Sequence, residues 1–187
     1  MKTREMAYVS MFAILTAVGA HIAIPVPLVP FTLQTMFCVL AGLVLGARLG
    51  AASQGFYMLM GLIGIPVFSG GGGIGSVLTP SFGYVIGFVA CAWVSGRIAD
   101  SFKRRGQILS VKKYFIASLA GIVFVYVFGL IHLYVIMNFW MPGKGMPLFK
   151  ILSIGLFSTI GGDLIKTFLA SIIAERLKKL HIFPGLE

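Results

Sequence analysis

The chain has 187 residues, of which 58% are hydrophobic and only 11% are charged, and its formal net charge is +10. Soluble domains contain about 25% charged residues, so this composition excludes a water-soluble globular domain, a disordered chain and a disulfide-stapled secreted protein. We therefore expect an integral membrane protein.

Long stretches without charge predict the membrane-spanning helices. No Asp, Glu, Lys or Arg occurs between Glu5 and Arg48, between Arg48 and Arg97, or between Lys113 and Lys144. Because about 20 apolar residues cross a bilayer as a helix, each of the first two stretches holds two helices, divided by a proline cluster and by a glycine run. In chain order, the predicted helices are residues 6–24, 33–46, 51–63, 82–99, 114–137 and 149–177, with a tight turn around Arg48 and a basic loop over 97–113. The predicted fold is all-α: one bundle of six transmembrane helices, a single domain over residues 1–187.

The distribution of basic residues predicts the orientation of this bundle. If the N-terminus is cytoplasmic, the inner segments hold twelve basic residues: Lys2, Arg4, Arg48, Arg97, Lys103, Arg104, Arg105, Lys112, Lys113, Arg176, Lys178 and Lys179. The outer segments hold only Lys144 and Lys150. Since Lys and Arg concentrate in cytoplasmic loops, we expect both termini in the cytoplasm. This bias also explains the net charge, so we expect a lipid bilayer and no nucleic acid as the charged partner.

All charged residues except Asp163 and Lys166 can be placed at or near an aqueous loop. Each of these two costs about 2.5–3.5 kcal/mol at a bilayer centre on insertion scales, and residues three apart share one face of a helix. One interpretation is a structural ion pair. The other, which we favour, is a binding site, since Gly161 and Gly162 would leave room beside Asp163 for a ligand.

The outer end of the second predicted helix carries Thr32, Gln34 and Thr35. One interpretation is that Thr32 is an N-cap and Gln34 faces the headgroups. The alternative is that Gln34 points inward and offers an amide donor and acceptor to a ligand.

A glycine run occupies Gly70, Gly71, Gly72 and Gly73. It is either a flexible linker or a lid that closes over an outer pocket. Residues 161–167 only resemble a phosphate-binding loop, because Ile165 stands where glycine is required. We therefore expect no ATPase in this chain.

Metal-binding and catalytic patterns are not apparent in the sequence. Cys38 and Cys91 lie in predicted spans without ligand spacing, and His21, His132 and His181 are far apart in the chain. With Asp163 as the single acid placed away from the aqueous loops, no paired-carboxylate or Ser-His arrangement can be assembled. We expect neither enzyme activity nor a cofactor.

The first predicted helix has small residues four apart, Ala13 with Ala17 and Gly19 with Ala23. Such pairs allow another helix to approach closely in a membrane. The neighbouring helix belongs either to this chain or to a partner.

Four motifs, taken together, resemble the BioY family, the biotin-specific substrate-binding subunits (S components) of energy-coupling-factor (ECF) vitamin transporters. They are PLVPFTLQT at residues 27–35, GIPVF at 64–68 with the glycines that follow, Gly83-Tyr84, and GDLIK at 162–166. Their order and spacing cover nearly the whole chain.

The resemblance implies a plasma-membrane protein that captures biotin from outside. It would work with a separate transmembrane coupling protein and two cytoplasmic ATPases, with Ala13 and Ala17 contacting the coupling protein. Biotin would be a substrate and not a cofactor. The expected biotin-binding residues are Asp163, Lys166, Gln34, Thr35, Tyr84, Phe31, Gly70, Gly71 and Gly72.

The chemistry of biotin fits these residues. The Asp163 carboxylate suits the ureido N–H groups, the Lys166 ammonium suits an oxygen, and aromatic rings suit the bicycle. The alternative function is a stand-alone small-molecule transporter or channel that needs no ATPase.

Overall fold

The computed structural model describes residues 2–107, 109–141, 145–180 and 182–183, so Lys144 and His181 lie outside the described residues. The protein is mostly helical. Its α-helices are α1 (Thr3–His21), α2 (Gln34–Leu62), α3 (Phe82–Arg104), α4 (Val111–Val135), α5 (Leu148–Leu152) and α6 (Ile160–Lys179). Short strands β1 (Ala23–Ile24) and β2 (Phe31–Thr32) pair antiparallel. A 3-10 helix covers Ile74–Leu78, and π-helices cover Ile136–Trp140 and Ser153–Phe157.

Four helical stretches of the described residues are long and apolar enough to cross a membrane. They are Gln34–Leu62, Phe82–Arg104, Val111–Trp140 and Leu148–Lys179. Helix α1 is not among them. The multi-pass character predicted from composition is therefore present in the fold.

Helix α2 folds back on itself at Gly46. This glycine has φ 80° and ψ 176°, a conformation that is nearly restricted to glycine. The side chains of Gln34 and Tyr57 meet at 2.6 Å, although 23 residues of straight helix would separate them by about 35 Å. The stretch therefore forms two antiparallel arms, and the chain reverses at Gly46 rather than around Arg48.

A carboxylate from α3 stabilises this reversal. Asp100 Oδ2 accepts a hydrogen bond of 3.1 Å from the backbone N–H of Ala47, the first residue of the second arm. Helix N-termini leave such N–H groups without partners inside the helix, so Asp100 caps the arm from a neighbouring helix.

Several helix ends differ from the predicted ones. Helix α1 ends at His21 rather than at residue 24, because residues 23–24 pair with β2. Helix α3 extends to Arg104, so much of the basic segment predicted as a loop over 97–113 is helical.

The predicted helix 149–177 is interrupted in the structure. Within it, α5 leads into the π-helix Ser153–Phe157, and α6 begins only at Ile160. The carbonyl of Gly155 accepts a hydrogen bond of 2.8 Å from the Tyr84 hydroxyl. Insertion of side-chain groups into a helix's own hydrogen bonds produces such local irregularities.

Helix packing relies on small residues, as is common in membranes. A Cβ atom on Gly87 would lie 2.7 Å from the Cα of Val125, so α3 and α4 touch along their backbones. Ala13 of α1 is also fully buried within this chain, whereas Ala17 is half-buried. The structure therefore corrects the expectation that Ala13 offers a free surface to a partner: its small side chain serves internal packing.

Candidate functional site

A cavity of about 200 Å³ lies at one end of the bundle, between the N-terminal turns of α2, α3 and α6 and the middle of α4. Seven of the expected binding residues line it: Phe31, Gln34, Thr35, Gly70, Tyr84, Asp163 and Lys166. Gly71 and Gly72 are not among the lining residues. The remaining walls are mainly apolar, with Phe68, Phe82, Phe88 and Val125.

Asp163 and Lys166 of α6 form an ion pair in the wall of this cavity. Lys166 Nζ lies 2.5 Å from Asp163 Oδ1, and each residue is only 5% exposed. Lys166 also donates a hydrogen bond of 2.6 Å to the backbone carbonyl of Thr32, and its ammonium lies 3.8 Å from the ring centroid of Phe31. The ion pair of the first interpretation is therefore present, and because it borders the cavity the binding role stays a prediction.

Hydroxyl groups stabilise the carboxylate of this pair. The Tyr126 hydroxyl of α4 donates to Asp163 Oδ2 at 2.5 Å and lies 3.2 Å from the Thr159 hydroxyl. The other oxygen, Oδ1, is buried and is the oxygen that contacts the Lys166 ammonium in the ion pair. It accepts no hydrogen bond from a hydroxyl, amide or backbone N–H of the described residues, so one of its lone pairs is left for a further donor.

The glycines before Asp163 act differently from the sequence-based expectation. A Cβ atom on Gly162 would lie 2.6 Å from a ring carbon of Phe31, so this glycine makes room for an aromatic ring of the same chain and not for a ligand. Gly161 has no such neighbour within 4 Å. The close approach of Phe31 to α6 brings its ring over Lys166.

Gln34 points into the protein rather than toward the headgroups. It is 5% exposed, its Nε2 donates to the Tyr57 hydroxyl at 2.6 Å, and its Oε1 accepts from the Thr32 hydroxyl at 2.9 Å. Tyr57 in turn donates to the Val67 carbonyl at 3.2 Å. The N-cap of α2 is Leu33 and not Thr32. The amide is therefore held in one orientation at the cavity wall.

The glycine run is attached to the end of α2 by backbone hydrogen bonds. Phe68 and Gly71 exchange two bonds of 2.9 and 3.0 Å, and Gly73 donates to the Gly61 carbonyl at 2.7 Å. Phe68 is buried, with its ring against Gly61 of α2. Gly70 thus reaches the cavity on a segment that is tied down at several points.

Sequence reasoning missed Tyr126, Thr159, Tyr57 and Phe68 as parts of this region. The two tyrosines offered a signal, because a phenol hydroxyl inside an apolar span needs a hydrogen-bond partner. Nothing in the sequence pairs Tyr126 with Asp163, 37 residues away.

Metal binding has no support in the part of the chain that the structure describes: no three His, Cys, Asp or Glu side chains come together there.

Comparison with known proteins identifies the family. The sequence profile of the BioY family matches residues 1–182. This chain belongs to the BioY family. The resemblance inferred from the four motifs is thereby confirmed.

Three relatives illustrate the assignment. The chain is 42% identical to the probable biotin transporter BioY of Lysinibacillus sphaericus, over 95% of this chain and 88% of that protein. It is 35% identical to the biotin transporter BioY of Thermotoga maritima, over 96% and 98%. The crystal structure of the S-component for biotin from an ECF-type ABC transporter superposes with a TM-score of 0.81 at 30% identity, covering 95% of this chain and 92% of that one.

The relatives are named as transporters and not as enzymes, which confirms the prediction that this BioY-family chain is not an enzyme. Its apolar helices and its family make it a multi-pass membrane transport protein.

Proposed function

We propose that this chain is the biotin-binding membrane subunit of an ECF transporter, which captures biotin outside the cell and delivers it inward. The observation that carries the proposal is the composition of the cavity, where a carboxylate, an ammonium group and an amide meet aromatic walls. The relatives named as biotin transporters support the same substrate.

Each part of biotin has a matching group in this cavity. Asp163 Oδ1, which contacts Lys166 in the ion pair, accepts an N–H of the ureido ring with its remaining lone pair, and Lys166 donates to an oxygen of biotin. Tyr84 and the phenylalanine rings pack against the apolar bicycle. Gln34 and Thr35 supply neutral donors and acceptors at the rim.

The proposed topology has six crossings in a single domain over residues 1–187. The crossings are α1, the two arms of α2, α3, α4, and α5 with α6. The cavity lies at the opposite end of the bundle from the Gly46 turn and from the basic C-terminal turns of α3 and α6. By the positive-inside rule, the cavity faces outward and both termini are cytoplasmic.

Transport also requires partners in this proposal: a transmembrane coupling protein and two cytoplasmic ATPases. The structural neighbour is described as a component of an ECF-type ABC transporter. The chain has no phosphate-binding loop of its own, and Ala17 is the accessible member of the predicted coupling contact.

Equilibrium titration of the purified chain with biotin, without ATP or partners, tests the capture role. We expect saturable binding, and we expect desthiobiotin, which lacks the thioether ring, to bind more weakly. Absence of binding until the partners are added would contradict the proposal.

Uptake into proteoliposomes tests the partner requirement. We expect accumulation of biotin only when the coupling protein, the ATPases and ATP are present. Accumulation by the chain alone would favour the stand-alone transporter.

A further inference from the structure

A second concave surface lies at the end of α3, far from the biotin cavity. It is an open groove of about 570 Å³ along the last turns of the helix. Its walls are Arg97, Ile98, Ser101, Phe102, Arg104 and Arg105. Nothing in the proposed capture of biotin uses this groove.

The three guanidinium groups of the groove have no acidic partner among the described residues. The ion pairs found among the described residues are Lys166–Asp163 and Lys179–Glu175, and neither involves an arginine of the groove. The nearby carboxylate of Asp100 is turned toward α2, where it accepts the Ala47 N–H. Arg104 makes one weak bond of 3.4 Å to the Asp100 backbone carbonyl. The groove therefore carries positive charge that the protein leaves uncompensated.

Apolar side chains lie beside the charged groups, and one of them lies deeper than they do. Ile98 and Phe102 line the groove. Trp93, one helical turn before Arg97 and therefore deeper in the candidate span Phe82–Arg104, is 51% exposed. Because Arg104 is the last residue of that span, Arg104 and Arg105 lie at its end, and Arg97 lies about two helical turns inside it.

We propose that this groove binds an anionic phospholipid, with the lipid phosphate held by Arg97, Arg104 and Arg105. The planar guanidinium donors match phosphate oxygens in a bidentate manner, and the Ser101 hydroxyl supplies a further donor. The acyl chains lie along Trp93, which is one helical turn deeper in the span than Arg97 and on the same side of the helix. A free phosphate ion or an acidic peptide would make no use of this apolar side chain, which is why a lipid fits better.

Fluorescence of Trp93 provides a direct test. The chain has two tryptophans, so a Trp140→Phe variant leaves Trp93 as the single reporter. The full chain is reconstituted in vesicles that contain brominated phosphatidylglycerol or brominated phosphatidylcholine. We expect phosphatidylglycerol to quench Trp93 at a several-fold lower mole fraction, because each basic residue near the surface contributes about a fivefold preference for anionic lipid.

Variants localise the effect to the groove. Arg97→Gln together with Arg105→Gln should bring the two quenching curves together. Lys103→Gln removes a positive charge from the same helix but Lys103 does not line the groove, so it should lower the preference much less than the double variant does. Biotin binding at the other end of the bundle reports that each variant is folded. If the double variant fails to fold, Arg105→Gln alone is used, because Arg105 lies just beyond the end of α3.

Four outcomes would overturn the proposal. They are equal quenching by both lipids, an equal loss of preference in Lys103→Gln, complete competition by millimolar inorganic phosphate, and a double variant that keeps its lipid preference but no longer co-purifies with the coupling protein. The third result would indicate an anion site without lipid selectivity. The fourth would assign the groove to a protein partner.

Discussion

Asp163 and Lys166 form a buried ion pair in the wall of the cavity that we propose as the biotin site. Each charge has partners within the protein, namely the Tyr126 hydroxyl for the carboxylate and the Thr32 carbonyl for the ammonium. The carboxylate oxygen that contacts Lys166 accepts no further hydrogen bond from the described residues. The pair is thus held by neighbouring groups and keeps one acceptor lone pair for a ligand.

Substitutions of the pair distinguish the two roles. If both groups bind biotin, Asp163→Asn and Lys166→Met should each weaken binding about 10- to 150-fold, the value of a charge-assisted hydrogen bond. The double variant should bind no better than the weaker single variant. Isothermal titration and thermal unfolding measure affinity and stability.

Lys179→Met is the matched control, because it breaks the exposed pair with Glu175 and should leave affinity unchanged. Recovery of both affinity and thermal stability in the double variant would show that the pair is only a structural clamp.

At this scale the sequence revealed the charges but not their surroundings. The cost of charge in a bilayer was sufficient to select Asp163 and Lys166. The predicted role of Gly162 was wrong. The space beside this glycine is filled by the ring of Phe31, which lies 131 positions earlier in the chain. Such long-range contacts have no local pattern.

Among the helices, the reversal of α2 depends on the backbone conformation of one residue, Gly46, and a single substitution tests this. Gly46→Ala forces a side chain into a conformation that costs about 1–3 kcal/mol, and its Cβ atom would lie 3.0 Å from the Asp100 carboxylate. We expect a lower thermal midpoint, measured by circular dichroism.

Gly55→Ala is the control within the same helix. Its Cβ atom would meet nothing within 4 Å, and alanine favours a helix by about 1 kcal/mol over glycine. Equal destabilisation by both substitutions would contradict the special role of Gly46.

Helix α1 provides the test of the partner surface. Ala17→Trp adds bulk at a half-buried position, so we expect it to abolish ATP-dependent uptake and co-purification with the coupling protein while biotin binding persists. Ile14→Trp, at a position that is 57% exposed, should retain all three. Normal uptake by Ala17→Trp would show that this stripe packs only within the chain.

The charge-free stretches of the sequence were sufficient to predict that helices are present. They were not sufficient to predict where the helices end or where they are irregular. The prolines placed the loop after α1, but the β1–β2 pairing within it depends on tertiary contact. The π-helix before α6 arises where Tyr84 reaches Gly155, 71 residues away. Composition contains no information about which distant residues come into contact, so it could not predict this hydrogen bond.

For the whole molecule, the proposed orientation predicts opposite accessibility of the two bundle ends. Cys38 and Cys91 are both buried and can be replaced by alanine. In that background, a cysteine at Ile74, which is 81% exposed, should react with a membrane-impermeant maleimide in intact cells. A cysteine at Lys103 should react only after permeabilisation.

The reverse labelling pattern would invert the topology and move the cavity to the inside. Gel shift after maleimide–polyethylene glycol labelling provides the measurement.

Composition predicted that this is a membrane protein, because membrane insertion depends on the overall share of apolar residues and not on how the helices pack. Which helices pack together was not predictable in the same way. Lipid tails are as apolar as the interior of the bundle, so an apolar helix face can contact either of them. Hydrophobicity alone therefore does not distinguish an internal face from an external one. Ala13 illustrates this, since its spacing fits both kinds of packing.

The ion pair on α6 also bears on the order in which the protein is made. Its two charges are three residues apart, so they can neutralise each other as soon as this helix forms and can enter the bilayer together. Their partners on other segments lie earlier in the chain: Thr32 is 134 residues before Lys166, and Tyr126 is 37 residues before Asp163. By the time the ribosome releases α6, the groups that receive it have already been synthesised. A nascent chain that stops short of α6 would have most of the cavity wall but neither charge, so recognition of the ligand becomes a property of the completed chain.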